Sequence, residues 1–164
     1  MLASTLVTLS CASKFAPVAE NALRPTAITQ PTPNDTDDPA IWIHPTDATK
    51  SLIVGTDKED GGGLYVYDLN GKIINKFIGM QRPNNVDIAY GLLINGVKTD
   101  IAVTTERNAK RLRVFSLPDL KPIDNGGISI FDGEIGEEVR EGMGIALYTK
   151  KTGTNAIEIH AIVG

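Results

Sequence analysis

Two stretches of this chain occur twice. Ile53-Val54-Gly55-Thr56-Asp57-Lys58 is echoed by Ile101-Ala102-Val103-Thr104-Thr105-Glu106-Arg107, and Leu64-Tyr65-Val66-Tyr67-Asp68-Leu69 by Leu112-Arg113-Val114-Phe115-Ser116-Leu117, both 48 residues apart. A third unit opens at Gly144-Ile145-Ala146-Leu147-Tyr148 and runs to Ile162-Val163-Gly164, which matches Ile53-Val54-Gly55. Self-similarity at a fixed period constrains a fold more tightly than composition does. Each repeat must be one structural unit that buries its apolar face against its neighbours.

The units are built from short runs of β-type residues at Ala40–His44, Leu52–Asp57, Leu64–Leu69, Ile73–Ile78, Val86–Leu93, Asp100–Glu106, Leu112–Leu117, Ile128–Phe131, Gly144–Tyr148 and Ile157–Val163. Turn chemistry separates them: Gly61-Gly62-Gly63, Asn70-Gly71, Asn95-Gly96 and Asn125-Gly126-Gly127. No stretch sustains a helical period with caps, so the chain is expected to be all-β. Four short strands in each unit of roughly 40 to 50 residues is the pattern of β-propeller blades. Blades are expected at about 35–80, 84–131 and, incomplete, 142–164. A propeller closes as a ring of about four to eight blades. Two and a half blades cannot close, so an N-terminal portion of a longer protein is expected.

At 164 residues the chain suffices for one modest domain. A formal net charge of -4 and 5% aromatic residues give no electrostatic footprint for nucleic acid. The single cysteine, Cys11, excludes an internal disulfide. It ends an uncharged, mostly apolar stretch, Met1 to Ser10, that reads as an export signal leading to a lipid-anchored cysteine. Residues 1–20 are therefore expected to be an export segment, with a frayed extension as the alternative; the stretch is too short to span a bilayer. Residues 21–34, rich in Pro and Thr, read as an extended lead-in. The protein is expected outside the cytoplasm: periplasmic, secreted or lipid-anchored, with no transmembrane span.

Asp35, Asp37 and Asp38 bring three acids to the edge of the apolar run that starts at Pro39-Ala40-Ile41-Trp42. Like charge beside an apolar strand is costly unless a cation compensates it, and carboxylate oxygens suit calcium. A solvated acidic turn is the alternative. Asn84-Asn85-Val86-Asp87 fills the corresponding slot of the second unit, so Asn85 and Asp87 are further candidate ligands, or ordinary turn residues. Lys58 and Arg107 follow the second strand of their units, one position out of step, and are candidates for holding a polyanion such as phosphate. The alternative is that both are solvent-facing strand ends. Glu134, Glu137, Glu138 and Glu141 read as a solvated loop, and Trp42 and Tyr67 as packing residues. His44 and His160 have no partner at zinc-ligand spacing, and Gly61-Gly62-Gly63 lacks the Lys and Ser/Thr of a phosphate-cradling loop.

Asp37-Asp38-Pro39-Ala40-Ile41-Trp42, Gly55-Thr56-Asp57-Lys58, Gly63-Leu64-Tyr65-Val66-Tyr67 and Asn84-Asn85-Val86-Asp87, in this order, resemble the β-propeller phytases, the alkaline, calcium-dependent 3-phytase family. The resemblance runs from about Asp35 to Gly164. It implies a six-bladed propeller, monomeric when full length, that hydrolyses phytate or calcium phytate, the hexakisphosphate of myo-inositol. It implies several Ca²⁺ ions at one end of the ring and attack by metal-activated water, with no residue acting as covalent nucleophile. Carried over by position, Asp37, Asp38, Asn85 and Asp87 correspond to calcium ligands or their neighbours, and Lys58 and Arg107 to cations that hold substrate phosphate. Met143 stands where well-known members carry a tyrosine, and Glu59 where some carry a second lysine. The family's third-blade cation falls just past Gly164, so the 164-residue chain alone is expected to have little or no activity. The competing readings are a non-catalytic, calcium-stabilised propeller that binds a partner, and a propeller hydrolase acting on a lactone or another phosphoester.

Overall fold

A computed structural model describes residues 19–133, 141–153 and 156–164. Cys11 with its export segment, and Glu134, Glu137 and Glu138, lie outside the described residues. The first sheet is a four-stranded antiparallel meander, β1 (Thr36–Trp42), β2 (Leu52–Asp57), β3 (Gly63–Tyr67) and β4 (Ile73–Ile78). Asp37, Asp38 and Pro39 lie inside β1 rather than ahead of it, beside a register shift between Thr36 and Pro39. Pro39 has no N–H to donate, which an edge strand tolerates.

The second sheet holds β5 (Pro83–Ile94), β6 (Val97–Glu106), β7 (Arg111–Leu117), β8 (Lys121–Pro122) and β9 (Ile128–Ser129). Asn95 and Gly96, with φ of 49° and 82°, make the β5–β6 hairpin turn, since a two-residue loop matching the strand twist needs left-handed backbone. The fourth strand of this sheet is split: β8 and β9 each pair with part of β7, so the expected run Ile128–Phe131 shrinks and Lys121–Pro122 takes the rest of the edge. A third sheet contains β10 (Ile145–Lys151) and β11 (Ile157–Val163).

The ladders correct one step of the repeat. Thr56 pairs with Leu64, but Leu112, the echo of Leu64, pairs with Thr105 and not Thr104. The turn after β6, residues 107–110, is one residue shorter than the turn after β2, residues 58–62. The second-strand echo is therefore one residue longer than the third-strand echo. Packing agrees. Leu52, Val54, Leu64 and Val66 face the core shared with the second sheet, and Ile101, Val103, Leu112 and Val114 face the core shared with the third. Asp57 thus corresponds to Glu106, and Lys58 to Arg107.

Both cores lie between sheets. The first joins Trp42, Leu52, Val54, Leu64 and Val66 to Met80, Val86, Ala102, Phe115, Leu117 and Leu120. The second joins Ala89, Ile101, Val103 and Leu112 to Ile145, Leu147, Ile159 and Val163. Trp42, a packing residue as expected, is buried at this boundary and its Nε1 donates to Asp100 Oδ2 at 2.8 Å. Tyr67 is also buried. The architecture is predominantly β, in open sheets that do not close a ring among the described residues, as expected of part of a larger all-β propeller.

Candidate active-site rim

Antiparallel pairing puts the start of each sheet's first strand beside the end of its second, so Asp35, Asp37, Asp38 and Lys58 share one rim of the first sheet. Asn85, Asp87 and Arg107 lie on the corresponding rim of the second. The rims are joined. Val86 N donates to Asp38 Oδ2 at 2.9 Å, Asn85 N to Met143 O at 3.4 Å, and Thr105 Oγ1 to Met143 O at 2.9 Å. Met143 N donates in turn to Gly164 O at 2.7 Å, so the start of the third sheet belongs to the same edge.

Lys58 Nζ lies 3.3 Å from Asp37 Oδ1 and 3.3 Å from Asp35 Oδ2. The hydrogen bond to Asp37, then that to Asp35, raises the ammonium pKa above its ordinary value. Its backbone N–H donates to Asp35 O at 3.0 Å, as Arg107 N does to Arg82 O at 3.0 Å. The two cations therefore leave equivalent strands through equivalent backbone contacts.

Asp38 and Asp87 spend carboxylate oxygens on backbone donors. Asp38 receives Val86 N, while Asp87 Oδ2 receives Leu147 N at 2.7 Å and Oδ1 receives Ile88 N at 2.7 Å. Each thus ties the first strand of one sheet to that of the next. Among the described residues no group of three or more His, Cys, Asp or Glu side chains converges as a metal site.

Two buried acids of this rim escaped the sequence reading. Asp57, before Lys58, accepts from Asp35 N at 2.9 Å and Asn34 Nδ2 at 3.0 Å. Glu106, before Arg107, accepts from Gln81 N at 2.7 Å and from Arg111 Nε, with Arg113 Nη1 at 3.7 Å. Both acids are fully buried. Burial pushes the Glu106 carboxyl up, but the Arg111 hydrogen bond, the Gln81 amide and the Arg111 and Arg113 charges outweigh it and hold the pKa below the ordinary value. Arg113 extends the network to Asp124 Oδ2 at 2.7 Å and lies 5.5 Å from the centroids of both Phe77 and Phe115. Asp124 is likewise lowered: burial opposes ionisation, and Arg113 with the Val114 and Gly126 amides prevails. The signal available in the sequence was the alignment of Asp57 with Glu106, hidden by the shortened turn.

Arg107 meets Glu141. Nη2 lies 2.8 Å from Oε2, and the two side chains are only 12% and 15% exposed, so Glu141 is not the solvated loop residue expected. Arg107 Nε is buried with no hydrogen-bond partner, and Glu141 Oε2, though close to Nη2, receives no aligned hydrogen bond. Met143 stands on this rim 46% exposed. Among the described residues no helix is long and apolar enough to cross a membrane.

The sequence pattern of the family described as Phytase matches residues 1–163. A curated relative, the 3-phytase of Bacillus subtilis (strain 168), is 37% identical over 123 residues, covering 71% of this chain and 30% of that protein. The chain thus spans less than a third of the length of this relative. With the family pattern matched over nearly all of its residues, the chain belongs to the phytase family, a family of phosphate-ester hydrolases.

Proposed function

We propose that this rim is part of the site of a calcium-dependent enzyme that releases phosphate from phytate, within a propeller that has six blades when complete. In this reading Lys58 and Arg107 bind substrate phosphates, and Asp37, Asp38, Asn85 and Asp87 contribute oxygens to calcium or hold its neighbours in place. The rim chemistry suits a hard cation: the ligand atoms are all oxygens, and Asp37, with Asp35, already holds a cation, the Lys58 ammonium, at 3.3 Å. Calcium supplies charge neutralisation for the polyanion and acidifies an attacking water. The chain's residues bind and orient. A guanidinium presents paired N–H donors to phosphate and an ammonium a point charge. The reading includes export of the protein, lipid attachment at Cys11 and a monomeric complete form.

One observation carries the proposal: the strand register gives Lys58 and Arg107 equivalent positions, each beside acids of the same rim. The test is calorimetric titration of the chain with phytate, with and without calcium, alongside a phosphate-release assay. Calcium-dependent binding that weakens at least about tenfold in Lys58→Met and Arg107→Gln is expected, for loss of one charge-assisted contact each. Binding indifferent to both substitutions overturns the assignment. A second reading, a non-catalytic module stabilised by calcium, draws on the pairing of both cations with acids. It predicts that calcium raises the thermal midpoint while neither cation affects phytate binding.

A further inference from the structure

Arg107 presents an anomaly that the phosphate-binding role does not explain. A guanidinium meant for an anionic guest is already occupied at Nη2 by Glu141, at 2.8 Å, while Nε is buried without a partner. An arginine placed only to stabilise the fold would have its buried donors satisfied, as Arg113 does: its Nε donates to Asp124 Oδ2 at 2.7 Å and its Nη2 reaches Asp124 Oδ1 at 3.4 Å. Arg107 is half-used. One edge is tied to a carboxylate, and another donor is left open in a poorly hydrated place, where an unmade hydrogen bond is costly. Glu141 in turn gains only a misaligned contact, so the pair is held by charge more than by hydrogen-bond geometry.

We propose that Glu141 is a built-in competitor for the phosphate group that Arg107 binds: its carboxylate stands in for the anion until a guest of higher charge density displaces it. This rests on the reading of Arg107 as a phosphate contact. A lone anionic group from solution cannot outcompete a tethered carboxylate already within 2.8 Å, whereas several neighbouring phosphates on one guest can. Glu141 is thus a specificity residue that reserves Arg107 for polyphosphorylated guests. A divalent cation that engages carboxylates weakens the competitor and strengthens capture of the polyanion.

The test follows Arg107 itself. The Arg107 Nε–H resonance of the isotopically labelled chain is titrated with phytate, and separately with inorganic phosphate, in the natural sequence and in Glu141→Gln. Removing a negative charge at contact distance is expected to tighten phytate binding at least about tenfold. Inorganic phosphate, without measurable effect on the natural chain, is expected to bind the variant. Added calcium is expected to narrow the difference for phytate. Should Glu141→Gln fail to fold, Glu141→Asp keeps the charge but loses the reach of one methylene, and an intermediate gain is expected. Equal or weaker binding in the variants overturns the competitor role and leaves the phosphate role of Arg107 standing. An Arg107 resonance that phytate moves in none of the proteins, with calcium or without, overturns that role and the inference together.

Discussion

Glu106 is fully buried and joins the loop before β5 to two arginines of β7. Glu106→Gln removes the carboxylate that Arg111 Nε contacts and sets the guanidinium against a neutral amide. Arg111 is partly exposed and Arg113 keeps Asp124, so the loss is that of a charge-assisted hydrogen bond, about 1.5–3 kcal/mol, and urea unfolding at neutral pH is expected to show a loss in that range. Acid offers an independent check. A carboxyl whose folded pKa lies below its unfolded value contributes stability that is complete above the unfolded value, 4.5 for Glu106 and 3.8 for Asp124, and disappears as pH falls through the folded one. The urea midpoint is therefore expected to fall as pH drops below about 5, with a shallower dependence in Glu106→Gln. The same dependence in both proteins would mean that other carboxylates control acid unfolding. None of this network was legible in the sequence. Arg111 and Arg113 are alternate residues of β7, and only the strand register reveals that both reach the acid at the end of β6.

Among the elements, β2, β4 and β11 have the bounds expected of them, because turn residues limit each run; in β2 and β11 apolar side chains at alternate positions also face a core. Where backbone pairing outruns that pattern, the sequence misled. Thr36 to Pro39 precede the expected run Ala40–His44 but form the first half of β1, and Pro83 precedes the expected run Val86–Leu93 but opens β5. Carboxylates there join one sheet to the next: Asp38 receives the Val86 amide and Asp87 the Leu147 amide. These two bonds predict local effects. Asp38→Ala leaves the Val86 N–H without its acceptor, at a cost of about 1–3 kcal/mol, and hydrogen exchange at Val86 is expected to accelerate while exchange at Leu147 keeps its rate. Asp87→Ala is expected to reverse the pattern. Acceleration of both amides in either variant would show that the sheets open together, not junction by junction.

For the molecule as a whole, the repeat period was legible and the register was not, since one residue lost from a turn changes which strand positions correspond without disturbing the sequence echo. The rim was half-legible for a related reason: acids and cations could be counted, but which acid neutralises which cation depends on contacts between residues far apart in the chain. Lys58 lies between Asp35 and Asp37, in the position of a counterion. If those carboxylates also serve a divalent cation, lysine and metal compete for them. Removing the lysine charge leaves two carboxylates uncompensated and more attractive to calcium by several-fold, since like charges close together favour any cation that neutralises both. Lys58→Met is therefore expected to show a larger calcium-induced rise in thermal midpoint than the natural chain, at lower calcium concentration, with magnesium weaker because it sheds its waters reluctantly. Because this pair is more than one-third exposed on the lysine and on Asp35, the difference should shrink as potassium chloride is added. A calcium response unchanged by the substitution would remove Asp35 and Asp37 from the metal's surroundings, and the acids of the first sheet would then serve only to hold Lys58 in place at the rim.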